Sequence, residues 1–337
     1  MDALKFILKI IKSSLPSKFK YFLRRHRNYN NINKIKSNID IELIDQSRFY
    51  LSDDTFIHSP LSATAKRVPK KIYWDRDDSS LKNHFYTHEK IFSLKDNITA
   101  KKFAWLYEAR CVMPDFYRRV DSHLKELELF DAVFTHDEYL LTTLSNAKYC
   151  IVGGVQYSLH KNNINSQIKE KKKNISIVSS YKKSCELHRF RLNVAKYFLN
   201  SDLVDCYGDF HIRGKKVAHE EYLSKYRYSI VVENQISKYY FTEKICNCFE
   251  ALTIPIYIGA ENIGDFFNKD GIIQIHDLSI EELKLLVQGL DEFDYMKRID
   301  AVKENYKKVQ QYKCAEDWIF NNYEELFFKE DKKQDSI

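Results

Sequence analysis

The sequence predicts an α/β protein with two Rossmann-like domains that face a cleft. From about residue 70, short β-rich runs alternate with longer segments of helical apolar spacing, which is typical of parallel sheets covered by helices. A polar stretch at residues 160–174 interrupts this alternation once, and the alternation then restarts. The 337 residues, of which 44% are hydrophobic, allow two packed cores and exclude a disordered or fibrous chain.

Residues 1–48 are predicted to be a basic amphipathic membrane-association segment and a linker. Residues 1–38 hold ten Lys or Arg and one acidic residue, a charge of +9, so the rest of the chain carries −2 of the total of +7. A body of that charge does not favour nucleic-acid binding. Apolar residues at helical spacing, with lysines between them, indicate a helix lying on an anionic membrane surface: Leu4, Ile7, Leu8, Ile11 and Leu15. The alternative is a helix packed on the body.

The first Rossmann-like domain is predicted over residues 49–165. Its candidate strands are residues 71–74, 103–108, 131–137 and 148–154, and residues 114–129 have the spacing of a helix. The polar stretch 160–174 is interpreted as an interdomain connection, with a loop inside one domain as the alternative.

The second domain is predicted over residues 166–330. Its candidate strands are residues 174–180, 203–208, 228–234, 253–259 and 272–277, and residues 279–327 are predicted to form helices that complete the domain.

Cysteine usage and the absence of apolar spans predict a cytoplasmic protein. The seven cysteines are an odd number without a CxxC pair, which favours a reduced compartment. The N-terminus lacks the long apolar core and cleavage site of a signal peptide, and no run approaches the ~20 apolar residues that a spanning helix needs. With the basic segment, this predicts peripheral association with the inner membrane face.

Candidate binding residues concentrate in residues 226–259. An apolar strand ends at Glu233 and Asn234, and Thr242 has the character of an N-cap for a helix that begins with Glu243 and Lys244. Because ligands of open α/β sheets bind at the carboxyl ends of strands, beside helix N-termini that favour anions, these groups are placed to hold a sugar and a diphosphate. The alternative is a capped surface helix.

This segment resembles the donor-binding signature of the family 10 glycosyltransferases, the α-1,3/α-1,4-fucosyltransferases. Nine positions fall on that signature without a gap: Glu233, Asn234, Tyr240, Thr242, Glu243, Lys244, Ile245, Pro255 and Gly259. Val232 replaces the usual Phe. Upstream, the family's V-D-x-Y-G pattern is similar to residues 204–208, and Ser180 stands where the family often has Asn. The resemblance covers roughly residues 174–280.

The resemblance implies a two-domain fold of the GT-B type, GDP-fucose as donor substrate and no required metal cofactor. Residues 166–330 would form the donor-binding domain, and residues 49–165 the acceptor-side domain. Fixed cations stabilise charge that builds on the leaving diphosphate, which makes Arg189 and Lys244 candidates for a diphosphate clamp. Arg191 is expected to face elsewhere on its helix. The other expected donor-binding residues are Ser180, Glu233, Asn234, Tyr240, Thr242 and Glu243.

An inverting transfer needs a general base from the first domain, and the resemblance implies Glu108. This residue ends an apolar run, and a carboxylate between two domains would be partly desolvated, which raises its pKa towards a useful value. Asp137 or Glu138 is the fallback base, and a surface role for Glu108 is the alternative.

Two patterns raise the question of a metal, and neither is a strong metal motif. The acidic residues 75–78 look like a solvated loop, and His84, His88 and Glu89 lack the HExxH spacing, so a structural role is favoured.

The sequence as a whole predicts an inverting fucosyltransferase that acts on a glycan acceptor such as lipopolysaccharide, O-antigen or another surface polysaccharide, from a bacterial or viral source. Two alternatives remain: the same fold with another nucleotide-deoxysugar donor, and a catalytically silent protein that binds glycans or nucleotides.

Overall fold

The computed structural model describes residues 47–52, 69–75, 78–94, 99–152, 154–156, 164–210, 217–218 and 220–328. The predicted N-terminal amphipathic helix lies outside these residues. Within them, two parallel sheets are covered by helices, which confirms the predicted α/β class with two Rossmann-like units.

The first sheet has six parallel strands in the order β2-β1-β3-β4-β5-β6. Its central strands are almost wholly buried, as a parallel sheet with covered faces requires. The strands are β1 (Ser47–Ser52), β2 (Ile72–Asp75), β3 (Asn83–Thr87), β4 (Lys101–Leu106), β5 (Ala132–Thr135) and β6 (Ala147–Tyr149). The helices of this half are α1 (Pro114–Ser122), α2 (Leu124–Leu127) and α3 (Glu138–Thr143).

The second sheet has five parallel strands in the order β11-β10-β9-β7-β8. All seven residues of β9 are buried, because it lies in the middle of the sheet. The strands are β7 (Lys173–Val178), β8 (Asp205–Tyr207), β9 (Tyr226–Val232), β10 (Ile254–Ile258) and β11 (Ile273–Gln274). The helices are α4 (Ile164–Lys169), α5 (Glu186–Phe198), α6 (Glu243–Glu250), α7 (Ile280–Gln288), α8 (Glu292–Lys297), α9 (Ile299–Lys308) and α10 (Ala315–Phe327).

Strand order places a crevice at the same point of each sheet. In the second sheet the chain runs outward from β7 to β8 and then returns to the other side of β7 as β9, so the order reverses between β7 and β9. The first sheet has the same reversal between β1 and β3. Ligands of open α/β sheets bind beyond the carboxyl ends of the strands at such a reversal. For the second sheet, these ends are followed by Ser179 and Glu233.

The last helix returns to the first sheet. Asp317 of α10 accepts hydrogen bonds from the backbone N–H groups of Lys70 and Lys71, both at 2.8–2.9 Å. Its Tyr323 hydroxyl donates to the carbonyl of Tyr149 at 2.8 Å, and the Phe327 ring packs 5.0 Å from that of Phe49. Although α10 follows the second sheet in sequence, it therefore packs on the first and joins the two halves.

All nine predicted strand regions contain a strand, and residues 279–327 are helical with short breaks. Four features differ from the sequence expectation. Two strands, β1 and β3, were not predicted; β1 begins inside the predicted N-terminal segment, and β3 contains His84. The predicted helix 114–129 breaks at His123, which has non-helical angles. The stretch 160–174 contains the helix α4. Its Gln167 is buried and donates to the Ser224 carbonyl.

Replacing Gly208 with alanine is expected to lower the free energy of unfolding by about 2–4 kcal/mol. Gly208 has a φ of 111°, and a Cβ atom there would lie 1.9 Å from the Ser179 carbonyl oxygen. The matched control is Gly289→Ala, because Gly289 has a φ of −88° and its nearest neighbouring atom would lie 3.6 Å away. Chemical denaturation measures both, and equal midpoints for the two variants would contradict the strain argument.

Candidate active site

A compact polar cluster lies where the predicted binding residues meet, at the carboxyl edge of the second sheet. It is formed by the residues after β9 and by the first turns of α5 and α6. The helix α6 begins here because the Thr242 hydroxyl accepts the Lys244 backbone N–H and serves as an N-cap. The free N–H groups of this helix end favour an anion at the same edge.

Glu233 is the buried centre of this cluster. Its side chain is 0% exposed and accepts three hydrogen bonds: the Thr242 N–H at 2.9 Å, the Thr242 hydroxyl at 2.7 Å and the Lys244 ammonium at 3.0 Å. A carboxylate so enclosed cannot touch a ligand in this conformation. Its part is to hold Thr242 and Lys244 in place.

Lys244 presents a cation at the mouth of the cluster. Its side chain is 25% exposed, and its ammonium lies 3.0 Å from Glu233 and 3.8 Å from Glu243. Burial disfavours the charge, yet Glu233 and Glu243 together raise the pKa of Lys244. The ammonium is therefore charged at neutral pH and held at a fixed point beside the α6 N-terminus.

The two arginines of α5 face different directions, as expected from their spacing. Arg191 is buried and donates to the Val232 carbonyl at 2.9 Å. Burial lowers the pKa of Arg191, while the nearby carboxylate of Glu233 acts in the opposite direction. Arg189 is exposed and donates to the Lys183 carbonyl at 3.2 Å. Arg191 supports the strand end from below, and Arg189 lies at the surface of the helix.

Asn234 accepts hydrogen bonds from both halves of the molecule. Its backbone carbonyl accepts the thiols of Cys111 at 3.1 Å and Cys185 at 3.3 Å. Its side-chain Oδ1 accepts the Nε2–H of His188 at 2.9 Å. Nearby, the partly exposed Ser180 accepts the N–H of Lys182 at 3.4 Å.

Tyr240 lies between the two halves instead of in open space. Its side chain is 1% exposed and its ring centroid is 4.8 Å from that of His136, which follows β5 of the first sheet. Burial raises the pKa of Tyr240, and the carboxylates of Glu233, Glu243 and Glu108 raise it further. The expected contact of Tyr240 with a ligand is not available in this conformation, and its ring packs the two halves together.

Glu108, the predicted base, follows β4 at the facing edge of the first sheet. Its side chain is partly exposed. Its carbonyl accepts the Tyr117 hydroxyl at 2.6 Å and faces His136 Nε2 at 3.3 Å, so its backbone is fixed. Because Cys111 of the same loop reaches Asn234, the Glu108 loop and the polar cluster meet across the cleft.

The fallback bases already have structural partners. Asp137 is buried, accepts the Leu140 N–H at 3.0 Å as the N-cap of α3, and is paired with Arg110. Glu138 pairs with Lys238 at 2.9 Å, an exposed ion pair that spans the two halves.

The residues weighed as metal ligands also have structural roles. His84 contacts the Tyr86 hydroxyl and the Leu81 carbonyl, and Glu89 pairs with Arg119 at 2.7 Å. The ring of His88 packs 4.3 Å from that of Tyr107. Residues 76 and 77 of the acidic run lie outside the described residues. Among those that are described, no three His, Cys, Asp or Glu side chains group as metal ligands would.

From α5 and its N-cap, sequence reasoning proposed Arg189 but gave no role to Cys185, His188 or Arg191. Cys185 is the N-cap residue, His188 and Arg191 follow at intervals of three, and all three contact the end of β9 or Asn234 just beyond it. The spacing was visible in the sequence as an apolar face interrupted by His and Arg. Cys111 and His136 carried no such signal, because their partners belong to the other half of the chain.

Comparison with known proteins finds a family model that matches the part of the chain containing the cluster. Residues 168–325 match the family model described as Glycosyltransferase family 10 (fucosyltransferase) C-term. Over 87 residues the chain is 32% identical to the Alpha-(1,3)-fucosyltransferase FucT of Helicobacter pylori, which covers 26% of this chain and 16% of that protein. The chain thus matches only about a sixth of that relative's length.

Two solved structures are similar to most of the chain at low identity. The sucrose-phosphate synthase from Thermosynechococcus elongatus has a TM-score of 0.52 at 12% identity and covers 74% of each chain, which supports the two-sheet architecture. A crystal structure of an alpha1,3-fucosyltransferase with GDP-fucose has a TM-score of 0.49 at 16% identity, over 87% of this chain and 92% of that one. By the family match, residues 168–325 are similar to the C-terminal domain of the glycosyltransferase family 10 fucosyltransferases, and the solved structures add only a likeness of fold.

Proposed function

We propose that the protein is an inverting glycosyltransferase that transfers fucose from GDP-fucose to a glycan acceptor. The observation that carries this proposal is the Lys244 ammonium, held by buried Glu233 at the N-terminus of α6 within the family 10 domain. A fixed cation at a helix N-terminus is suited to a diphosphate, whose negative charge grows as the sugar leaves.

The remaining donor contacts follow from the exposed polar groups around Lys244. Arg189 is exposed on α5, so its guanidinium is free to turn from the Lys183 carbonyl to a phosphate oxygen. Glu243 is partly exposed and accepts hydrogen bonds from hydroxyl groups of the sugar or ribose. Asn234 and Ser180 lie at the same edge of the sheet. Glu233, Thr242 and Tyr240 act indirectly, because each is buried.

The general base in this proposal is Glu108, and the first half of the chain binds the acceptor. Glu108 approaches the donor edge from the opposite sheet, as attack on the face away from the diphosphate requires. It removes the proton of the acceptor hydroxyl as that oxygen bonds to the anomeric carbon of fucose, while the bond from this carbon to the phosphate oxygen breaks and GDP leaves. Since basic side chains neutralise the diphosphate, the proposal includes no metal cofactor.

Calorimetric titration with GDP, GDP-fucose, UDP and CDP tests the donor without knowledge of the acceptor. We expect GDP and GDP-fucose to bind and the pyrimidine nucleotides to bind at least tenfold more weakly, which is about 1.4 kcal/mol. A preference for UDP or CDP would indicate another nucleotide-sugar donor. Failure of every nucleotide to bind would favour a catalytically silent protein.

The proposed location is the cytoplasmic face of a membrane, through residues 1–30. No helix among the described residues has the length and apolar character needed to cross a bilayer. Deleting residues 2–30 is expected to abolish sedimentation with anionic vesicles, because each basic residue near such a surface contributes about 1 kcal/mol. GDP binding serves as the control and should be unchanged. Continued sedimentation of the deletion variant would show that the body itself binds the vesicles.

A further inference from the structure

We propose that His188 is a positioning residue that orients the side-chain amide of Asn234, so that its NH2 group donates to the ligand of the donor site. The orientation of the amide is a property of the unliganded protein, and its consequence for donor affinity rests on the proposed function. His188 does not contact the ligand in this proposal. It acts through Asn234.

The acceptor atoms of Asn234 are already engaged. His188 Nε2 lies 2.9 Å from Oδ1, and the thiols of Cys111 and Cys185 lie 3.1 and 3.3 Å from the backbone carbonyl. Among the described residues, none accepts a hydrogen bond from Nδ2 of Asn234, and the residue is partly exposed. The group left for a ligand is therefore a donor, the NH2 of the amide.

A hydrogen on Nε2 of His188 determines which way this amide faces. The ring is 4% exposed, and its Nδ1 lies 2.8 Å from the Ser184 hydroxyl. Burial lowers the pKa of His188, and the positive charges of Arg191, Lys182 and Lys244 act in the same direction. A neutral ring accepts a hydrogen bond from the Ser184 hydroxyl at Nδ1 and carries its own hydrogen on Nε2. That hydrogen requires an oxygen opposite it, because a flipped amide would set two donors against each other.

This arrangement fixes the NH2 group of Asn234, a neutral donor, at the same sheet edge as the Lys244 ammonium. Asn234 is the second residue after β9, and Lys244 lies in the first turn of α6 at the same sheet edge. A diphosphate or a row of sugar hydroxyls offers the oxygen acceptors that such a pair binds. Because His188 holds the amide in one rotamer before the ligand arrives, less side-chain freedom is lost on binding, an effect of about three- to tenfold in affinity.

The test compares His188→Leu, which removes the donor, with His188→Gln, whose amide can still donate to Asn234 Oδ1. We expect His188→Leu to weaken GDP-fucose binding by about three- to tenfold and His188→Gln to retain most of the affinity. Asn234→Ala should cost less affinity in the His188→Leu background than in the wild type, because the contribution that His188 makes through Asn234 is already lost there. Lys196→Ala, an exposed position on the same helix, is the control for α5.

Two outcomes would overturn the proposal: unchanged affinity in a folded His188→Leu protein, or fully additive losses in the His188→Leu/Asn234→Ala pair. Nitrogen-15 NMR of histidine-labelled, unliganded protein gives a test that does not depend on the donor. It should show the Nε2–H tautomer for His188, and Ser184→Ala should alter that signal. If the wild type bound no guanine nucleotide, the proposed function would fail, while the Nδ1–H tautomer, which has no hydrogen on Nε2, would separately refute the role of His188.

Discussion

Replacing Lys244 with methionine is expected to weaken GDP-fucose binding at least about 30-fold, a loss of about 2 kcal/mol, and to lower turnover by at least as much. The ammonium is the cation that the structure fixes at the N-terminus of α6, 3.0 Å from Glu233. A methionine keeps most of the side chain's apolar volume but offers no charge to a diphosphate. Calorimetry with GDP-fucose and initial rates at saturating acceptor measure the two effects.

The single variant also leaves Glu233 without its charged partner, so affinity and stability must be separated. An unpaired buried charge costs about 3–5 kcal/mol of stability, and Lys244→Met is expected to melt at a lower temperature for that reason. The double variant Glu233→Gln/Lys244→Met removes both charges, and it should recover much of the stability without recovering donor affinity. Near wild-type affinity in either variant would remove Lys244 from donor binding.

Replacing Glu108 with glutamine is expected to lower kcat by about 10²- to 10⁴-fold while leaving GDP-fucose affinity unchanged. The substitution keeps the shape of the side chain but removes the group that accepts a proton. Its backbone should stay in place, since the carbonyl of Glu108 still accepts the Tyr117 hydroxyl at 2.6 Å. Initial rates, with calorimetry as the check on donor binding, test the assignment.

Glu138→Gln is the matched control for the base. Glu138 lies on the same side of the cleft but is paired with Lys238, so its loss should change kcat by less than about threefold, the usual scale of an exposed ion pair. The reverse result, with Glu138→Gln inactive and Glu108→Gln active, would transfer the role of base to Glu138. Asp137 is unsuited as a control because it caps α3 and pairs with Arg110.

The strands of the second sheet were predictable because their environment is simple. A central parallel strand is buried on both faces, so β9 and β10 are continuous apolar runs that periodicity identifies. The strand β3 was not predicted because it contains the polar residues Asn83 and His84. Both are buried and held by partners that the sequence does not reveal. Helix α4 escaped because a short polar helix has no apolar stripe.

The roles within the candidate site divide along the same line. The N-cap at Thr242 and the cation at Lys244 follow from local order in the chain, since a helix start places both within one turn. Helix orientation and the other half of the molecule decide the remaining roles. They bury Glu233 and Tyr240, and they place Arg191 against Val232 while Arg189 is exposed. Side-chain direction in a packed core is set by neighbours that are distant in sequence.

Hydrophobic periodicity and helix capping are local properties, and they were enough to predict the α/β class, most of the strands and the stretch of chain in which the candidate site lies. Three contacts become visible in the folded protein alone: α10 packs on the first sheet, Cys111 and Cys185 meet at one carbonyl of Asn234, and His136 packs on Tyr240. Each of these contacts joins residues that are far apart in the chain, so it depends on how two folded halves fit together. No local pattern of residues encodes that fit.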